Sequence, residues 1–184
     1  GIGGFVEGGE DERGVWLIRA ATRESLGEWL GECERNGSRD ADELARRLRY
    51  VHALARVLAQ AEADALPLGP LGARSAWGFD SPWLDAMPWI RSLVGVPEAA
   101  SEAASASLSR DWLTPEAAAG QPEHEGSNRY RLGLILYRAL AGQGPFAGLG
   151  LRSAIDQITR GVPPLPDAIA RSEERRVGKE CLRL

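Results

Sequence analysis

The stretch from Trp112 to Gly142, WLTPEAAAGQPEHEGSNRYRLGLILYRALAG, decides the fold. Two pieces are legible in it. Thr114-Pro115-Glu116 opens a short Ala-rich stretch. Residues 127–140 then read as one helix, with Tyr130, Leu132, Leu134, Ile135, Leu136, Tyr137 and Leu140 apolar. These lie on nearly every side, which is the pattern of a central helix rather than a surface one. Ser127 is expected to cap its N-terminus, and Gly142 to end it in the left-handed conformation. Gly costs about 1 kcal/mol relative to Ala in a helix interior, so Gly133 is expected to permit close packing there. Gly144-Pro145-Phe146 follows as a tight turn with an aromatic plug.

This order resembles the C-terminal lobe of serine/threonine protein kinases of bacterial type. There, an Ala-Pro-Glu motif closes the activation segment. A helix beginning Ser-Asp-x-Tyr/Trp-Ser-Leu-Gly runs through the lobe, and a Gly-x-x-Pro-Phe turn follows it. The matching residues are Thr114-Pro115-Glu116, Ser127 to Gly133, and Gly142 to Phe146. An unrelated helical bundle with chance matches is the plainer reading. The resemblance implies an α+β fold, mostly α: a kinase-like large lobe with a residual small-lobe β-hairpin. It covers 1–170, with 1–19 the end of the small lobe, 20–24 the hinge and 25–170 the large lobe.

Upstream, apolar runs at 4–6 and 15–18 flank GGEDERG, a polar Gly-rich turn, and read as a hairpin. Ser25 is placed to cap a short helix over 26–33. Asp40 or Ser38 is placed to cap a long one from Ala41 to about Ala63. Leu44, Leu48, Val51, Leu54, Ala55 and Leu58 give that helix one apolar face. His52 has no companion ligands and reads as a surface or partly buried histidine. By the resemblance, Ile18 falls at the gatekeeper position, and Arg19, Ala20 and Ala21 on the hinge. In the family the hinge backbone pairs with adenine, so ATP is the implied ligand. A plain strand-to-helix connection explains the same residues.

The segment after the long helix should hold the family's catalytic loop, His-Arg-Asp-Leu-x-x-x-x-Asn. Aligned without gaps, Pro70 stands at the Asp and Ser75 at the Asn, with Leu71 retained. Gly72 stands where a phosphate-facing Lys is common. Phosphoryl transfer needs a carboxylate to orient the substrate hydroxyl and accept its proton. Pro70 offers none, and Ser75 is a poor replacement for a Mg²⁺-binding amide. Residues 83–90 should be the strand leading into the family's Asp-Phe-Gly, and the best alignment puts Ala86-Met87-Pro88 there, with Ala86 at the metal-binding Asp. Asp85 is one residue early, which on a strand turns the side chain to the other face. Asp80 sits in a turn-like Gly-Phe-Asp-Ser-Pro sequence. Mg²⁺ is therefore not expected. Asn128 replaces the Asp that in the family accepts hydrogen bonds from catalytic-loop N–H groups. An amide oxygen can still accept them, without charge assistance. Glu116 is implied to pair with an Arg lying beyond Ala170.

The Ala/Ser-rich stretch 98–109 takes the place of the activation segment. Leu151 to Gly161 reads as a further amphipathic helix, and 162–166 as an extended Pro-rich link. The tail from Arg171 to Cys181, RSEERRVGKEC, is the translation of a DNA string resembling the read-through of a sequencing adapter. Residues 171–184 are therefore expected to be an artefact rather than a domain. The 184 residues carry 22 Lys+Arg against 26 Asp+Glu, a mild acidity that gives no nucleic-acid footprint. Setting the tail aside leaves Cys33 as the lone cysteine, which fits a reducing, cytoplasmic setting. No apolar run is long enough to span a membrane. The chain begins without Met and reads as a piece of a longer protein; the positions of the family's Gly-rich loop and strand Lys fall upstream of residue 1, outside this sequence.

The expected function is a pseudokinase: a signalling module with protein partners, and no membrane or nucleic-acid contact from this segment. The alternatives are a divergent ATP-dependent serine/threonine kinase using Asp80 or Asp85, and a purely structural helical domain.

Overall fold

The structure is a computed structural model that describes residues 5–11, 14–19, 25–36, 41–66, 70–73, 75–77, 83–84 and 111–166. Helix dominates them. Strands β1 (Phe5–Asp11) and β2 (Gly14–Arg19) pair antiparallel, with Asp11 opposite Gly14 and an irregularity between Phe5 and Glu7. The hairpin is thus longer than its apolar residues suggest. The stretch from Gly8 to Asp11 belongs to the strand, because backbone pairing does not require apolar side chains.

Helix α1 (Leu26–Asn36) starts on Ser25. The Ser25 hydroxyl accepts from the Glu28 N–H at 3.3 Å, and the Glu28 carboxylate accepts from the Ser25 N–H at 2.7 Å. This reciprocal pair satisfies two donors that a helix start leaves open. The Ser25 backbone and hydroxyl donors hold the Glu28 carboxyl below its usual range. Helix α2 (Ala41–Ala63) carries its buried face on Arg47, Tyr50, Val51, Leu54, Leu58 and Ala61. Leu48, expected on that face, is 38% exposed. The face is rotated because Arg47 and Tyr50 take the inward positions next to Val51. His52 is exposed.

Strands β3 (Ala76–Trp77) and β4 (Trp83–Leu84) form a second short antiparallel pair. Helix α3 (Pro115–Ala118) leads into α4 (Glu125–Ala141), and α5 (Leu151–Arg160) follows. Helix α4 lies between two cores. On one side Ile135 and Ala139 join Leu26, Trp29, Leu30, Tyr50, Leu54 and Leu58 of α1 and α2. On the other, Leu134 meets Leu113, Phe146, Ala154 and Ile158. The aromatic plug is thus buried, with Phe146 1% exposed. Trp29 and Tyr50 stack with ring centroids 4.3 Å apart.

Two expectations for α4 need correction. The helix starts two residues before Ser127, and His124 is its cap: His124 Nδ1 accepts the Gly126 N–H at 3.0 Å. Ser127 instead works one turn in, its hydroxyl accepting the His124 N–H at 3.1 Å. The second concerns Gly133. It is exposed, and a Cβ built on it would meet nothing within 4 Å. No neighbour needs the missing side chain. Gly133→Ala should therefore stabilise the protein by about 1 kcal/mol through helix propensity alone, raising the thermal midpoint. A drop in midpoint would show that the position is crowded after all. Gly142 closes the helix at φ 72°, as expected, its N–H bonded to the Arg138 carbonyl.

Candidate functional site

The loop around 70–75 is the candidate site, and α4 and α1 hold it from two directions. Asn128 projects from the first turn of α4, and its Oδ1 accepts the Leu71 N–H at 2.8 Å. The Gly27 N–H of α1 donates to the Ala73 carbonyl at 2.8 Å. A Cβ on Gly27 would lie 2.8 Å from the Ala73 Cβ, so only glycine allows this approach. Leu71 inserts into the core at 3% exposure. The loop thus has an apolar anchor and two polar ties.

Its chemistry is meagre. Pro70 is half-buried and Gly72 buried. The Ser75 hydroxyl is consumed locally, accepting from the Gly72 N–H at 2.7 Å and donating to the Gly72 carbonyl at 2.9 Å. These two bonds make a tight turn that leads straight into β3. None of the three presents a carboxylate or a free amide oxygen, so the donor set does not fit Mg²⁺. Among the described residues no cluster of three His, Cys, Asp or Glu side chains could hold a metal. Asp80, Asp85 and Ala86 lie outside the described residues, as do Ala20 and Ala21, expected on a hinge, and the stretch 98–109. Ile18 and Arg19 close strand β2.

The tie from Asn128 can be tested. Asn128→Ala leaves the Leu71 N–H without this acceptor next to a buried side chain. It should cost about 1–3 kcal/mol in a denaturant melt. Asn128→Asp keeps an acceptor and adds charge assistance, so it should match or exceed the parent at neutral pH. Equal stability of the Ala and Asp variants would mean that the bond holds nothing.

Below this loop the Thr114-Pro115-Glu116 motif is fixed in place. Thr114 is fully buried and caps α3, its hydroxyl accepting the Ala117 N–H at 3.3 Å. Pro115 takes the first helical position, where its missing N–H costs nothing. Glu116 faces the start of α4. Its carboxylate accepts from the Ser127 hydroxyl at 3.3 Å and lies 3.0 Å from His124 Nε2. Its own backbone N–H first, then Thr114, His124 and Ser127, hold this carboxyl below the usual range, against the opposing effect of burial. Glu116 thus has partners within the described residues, without the downstream Arg that the sequence implies.

Sequence reasoning missed two buried arginines. Arg131 is fully buried; its Nε donates to the Trp112 carbonyl at 3.0 Å and its Nη2 to Glu123. Glu123 also accepts the Thr114 hydroxyl at 3.1 Å. One carboxylate therefore joins α4 to the segment entering α3. Arg47, 1% exposed, donates to the Ala139 carbonyl at 2.9 Å and to Glu43 at 2.9 Å. The available signal was a basic residue on an apolar face with an acid in reach: Glu43 stands four residues before Arg47, and Glu123 eight before Arg131. Burial pushes the Cys33 thiol up to about 11, so it is not a nucleophile at neutral pH.

No family model and no curated protein matches the chain. No helix among the described residues is long and apolar enough to cross a membrane.

Proposed function

We propose that the chain is a protein-kinase-like domain, largely its C-terminal lobe, that has lost phosphoryl-transfer chemistry and acts as a regulatory binding module. The observation that carries this reading is the bond from the Leu71 N–H to Asn128. It ties the loop after the long helix to the first turn of the central helix, across 57 residues of chain. In the family such a tie sets the geometry of the catalytic loop. Here the loop so held offers Pro70, Gly72 and a Ser75 already engaged with Gly72. Placement without the reacting groups is what a pseudokinase requires.

Phosphoryl transfer depends on positioning and on charge stabilisation by metal and basic groups. With Pro70, Gly72 and Ser75 in these positions, the loop contributes neither a proton acceptor nor a metal ligand. Any residual ATP binding would rest on the hinge backbone around Arg19, Ala20 and Ala21. Protein partners are the proposed ligands, and a cytoplasmic setting is the proposed location.

The test is transfer of labelled γ-phosphate by the full-length protein, to itself and to a generic acceptor protein, with Mg²⁺ or Mn²⁺. The expected result is no incorporation above a protein-free control. Incorporation abolished by Asp80→Ala and by Asp85→Ala, each made singly, would overturn the proposal and establish a divergent kinase. Incorporation untouched by either change would trace to a contaminating enzyme.

A further inference from the structure

The two ring nitrogens of His124 have different partners. Nδ1 accepts the Gly126 N–H at 3.0 Å, which caps the start of α4. A ring nitrogen that accepts carries no proton, so the proton of the neutral imidazole sits on Nε2. Nε2 lies 3.0 Å from the Glu116 carboxylate, the distance of a donated hydrogen bond. The ring is also pressed against the helix start: a Cβ on Gly126 would lie 2.7 Å from its Cε1. Ser127 closes the cluster, its hydroxyl accepting the His124 N–H at 3.1 Å and donating to Glu116 at 3.3 Å.

Both ring contacts suit a neutral imidazole, and only one survives protonation. In the imidazolium both nitrogens are donors. Nδ1–H then confronts the Gly126 N–H, and the cap is lost. The added charge also meets the positive end of the α4 dipole. The contact with Glu116, by contrast, gains charge assistance. Glu116 stays ionised through the window in which histidines change charge, because its own backbone N–H first, then Thr114, His124 and Ser127, hold its carboxyl below the usual range. Of the described charged side chains over 123–131, Glu123 is bound by Arg131 and by the Thr114 hydroxyl, and Arg129 is paired with Glu62. Burial, and then Glu116, push the Tyr130 hydroxyl up, so it stays neutral. His124 itself is 62% exposed, so solvent protons reach it directly.

The turn that His124 caps also carries Asn128, two residues after Gly126. Its Oδ1 accepts the Leu71 N–H at 2.8 Å. Opening of that turn therefore moves the acceptor that holds the loop around 70–75. We propose that His124 is a pH-sensitive cap of α4. Neutral, it closes the first turn and, through Asn128, steadies the loop at Leu71. Protonated, it exchanges the cap for a charge pair with Glu116, and turn and loop loosen together. This goes beyond the kinase-like reading and does not depend on it.

Loss of the cap and gain of the charge pair oppose each other in a global melt, so the test is local. The full chain, labelled with ¹⁵N, is studied by NMR between about pH 7.5 and about pH 5.5, the range over which histidine titrates. At the higher pH the His124 Nδ1 resonance should be that of a bare nitrogen and Nε2 that of a protonated one. Exchange rates of the Gly126 and Leu71 amides are divided by those of an unstructured chain at the same pH. Protection at Gly126 should fall about fivefold on acidification, the size of a typical N-cap, and protection at Leu71 should fall over the same transition. His124→Asn keeps an acceptor that does not titrate, so it should hold both amides protected at either pH. An unchanged thermal midpoint at the higher pH would show that this variant folds like the parent. The proposal is overturned if Nδ1 carries the proton at the higher pH, or if Gly126 keeps its protection while His124 titrates. It is also overturned if His124→Asn responds to acid as the parent does, or if Gly126 loosens and Leu71 does not.

Discussion

Glu123→Ala is expected to destabilise the protein by about 3–5 kcal/mol, the range for breaking a buried ion pair from one side. Arg131 stays in the interior, where its guanidinium is 1% exposed. After the change it retains the Trp112 carbonyl on Nε. Its Nη1 already lacks a hydrogen-bond partner among the described residues. Removing Glu123 would leave Nη2 without its carboxylate too, and the charge uncompensated. Thr114 would lose its acceptor in the same stroke. Arg131→Met should cost less, because the stranded Glu123 carboxylate is 27% exposed and water can solvate it. Denaturant melts of both variants check the asymmetry. Equal, small losses would show that Arg131 reaches solvent and that the pair is not a buried one. Since folded domains hold only about 5–15 kcal/mol in total, the Glu123 variant should lie near the edge of folding.

The second large effect is expected at Phe146. Its ring is 1% exposed and packs with Leu113, Leu134, Ala154 and Ile158. Truncation to Ala should cost about 3–5 kcal/mol, from lost burial plus the cavity left behind. The control is Leu151→Ala on α5. Leu151 is 55% exposed, so this loss should stay within about 0.5 kcal/mol. Similar midpoints for the two variants would mean that the second core is loose enough to collapse around the missing ring.

The helices were legible where their apolar residues recur at helical spacing. Helix α2 runs over the span that its pattern indicates, and α4 is covered on nearly every side, as its composition requires. Gly142 and Phe146 were legible because left-handed glycine and a buried aromatic are local signals. The errors have physical causes. His124 is a rare cap, so the sequence points to the more usual Ser127 as the start of α4. Leu48 looked like core because the periodicity treats Arg47 as polar, whereas a guanidinium bonded to a carbonyl and a carboxylate can replace an apolar side chain inside. The sequence suggests a packing role for Gly133 because a helix glycine usually needs a reason, and none is visible among its surroundings. At the candidate site, sequence showed which groups are missing at Pro70 and Ser75. It could not show that Ser75 folds back on Gly72, since that turn depends on the backbone being held by Asn128 and Gly27.

The bond from Arg47 to the Ala139 carbonyl has a dynamic consequence. Carbonyls in the last turn of a helix have no partner within it, and free helix ends fray. At the end of α4 the partner comes from α2, 92 residues earlier in the chain. The final turn of α4 therefore gains a partner when α2 is docked against it, and Arg47 loses an acceptor for its buried charge if that turn opens. Amide hydrogens near Ala139 should then exchange with solvent in the same opening events as those around Arg47, as one cooperative unit rather than as a fraying end.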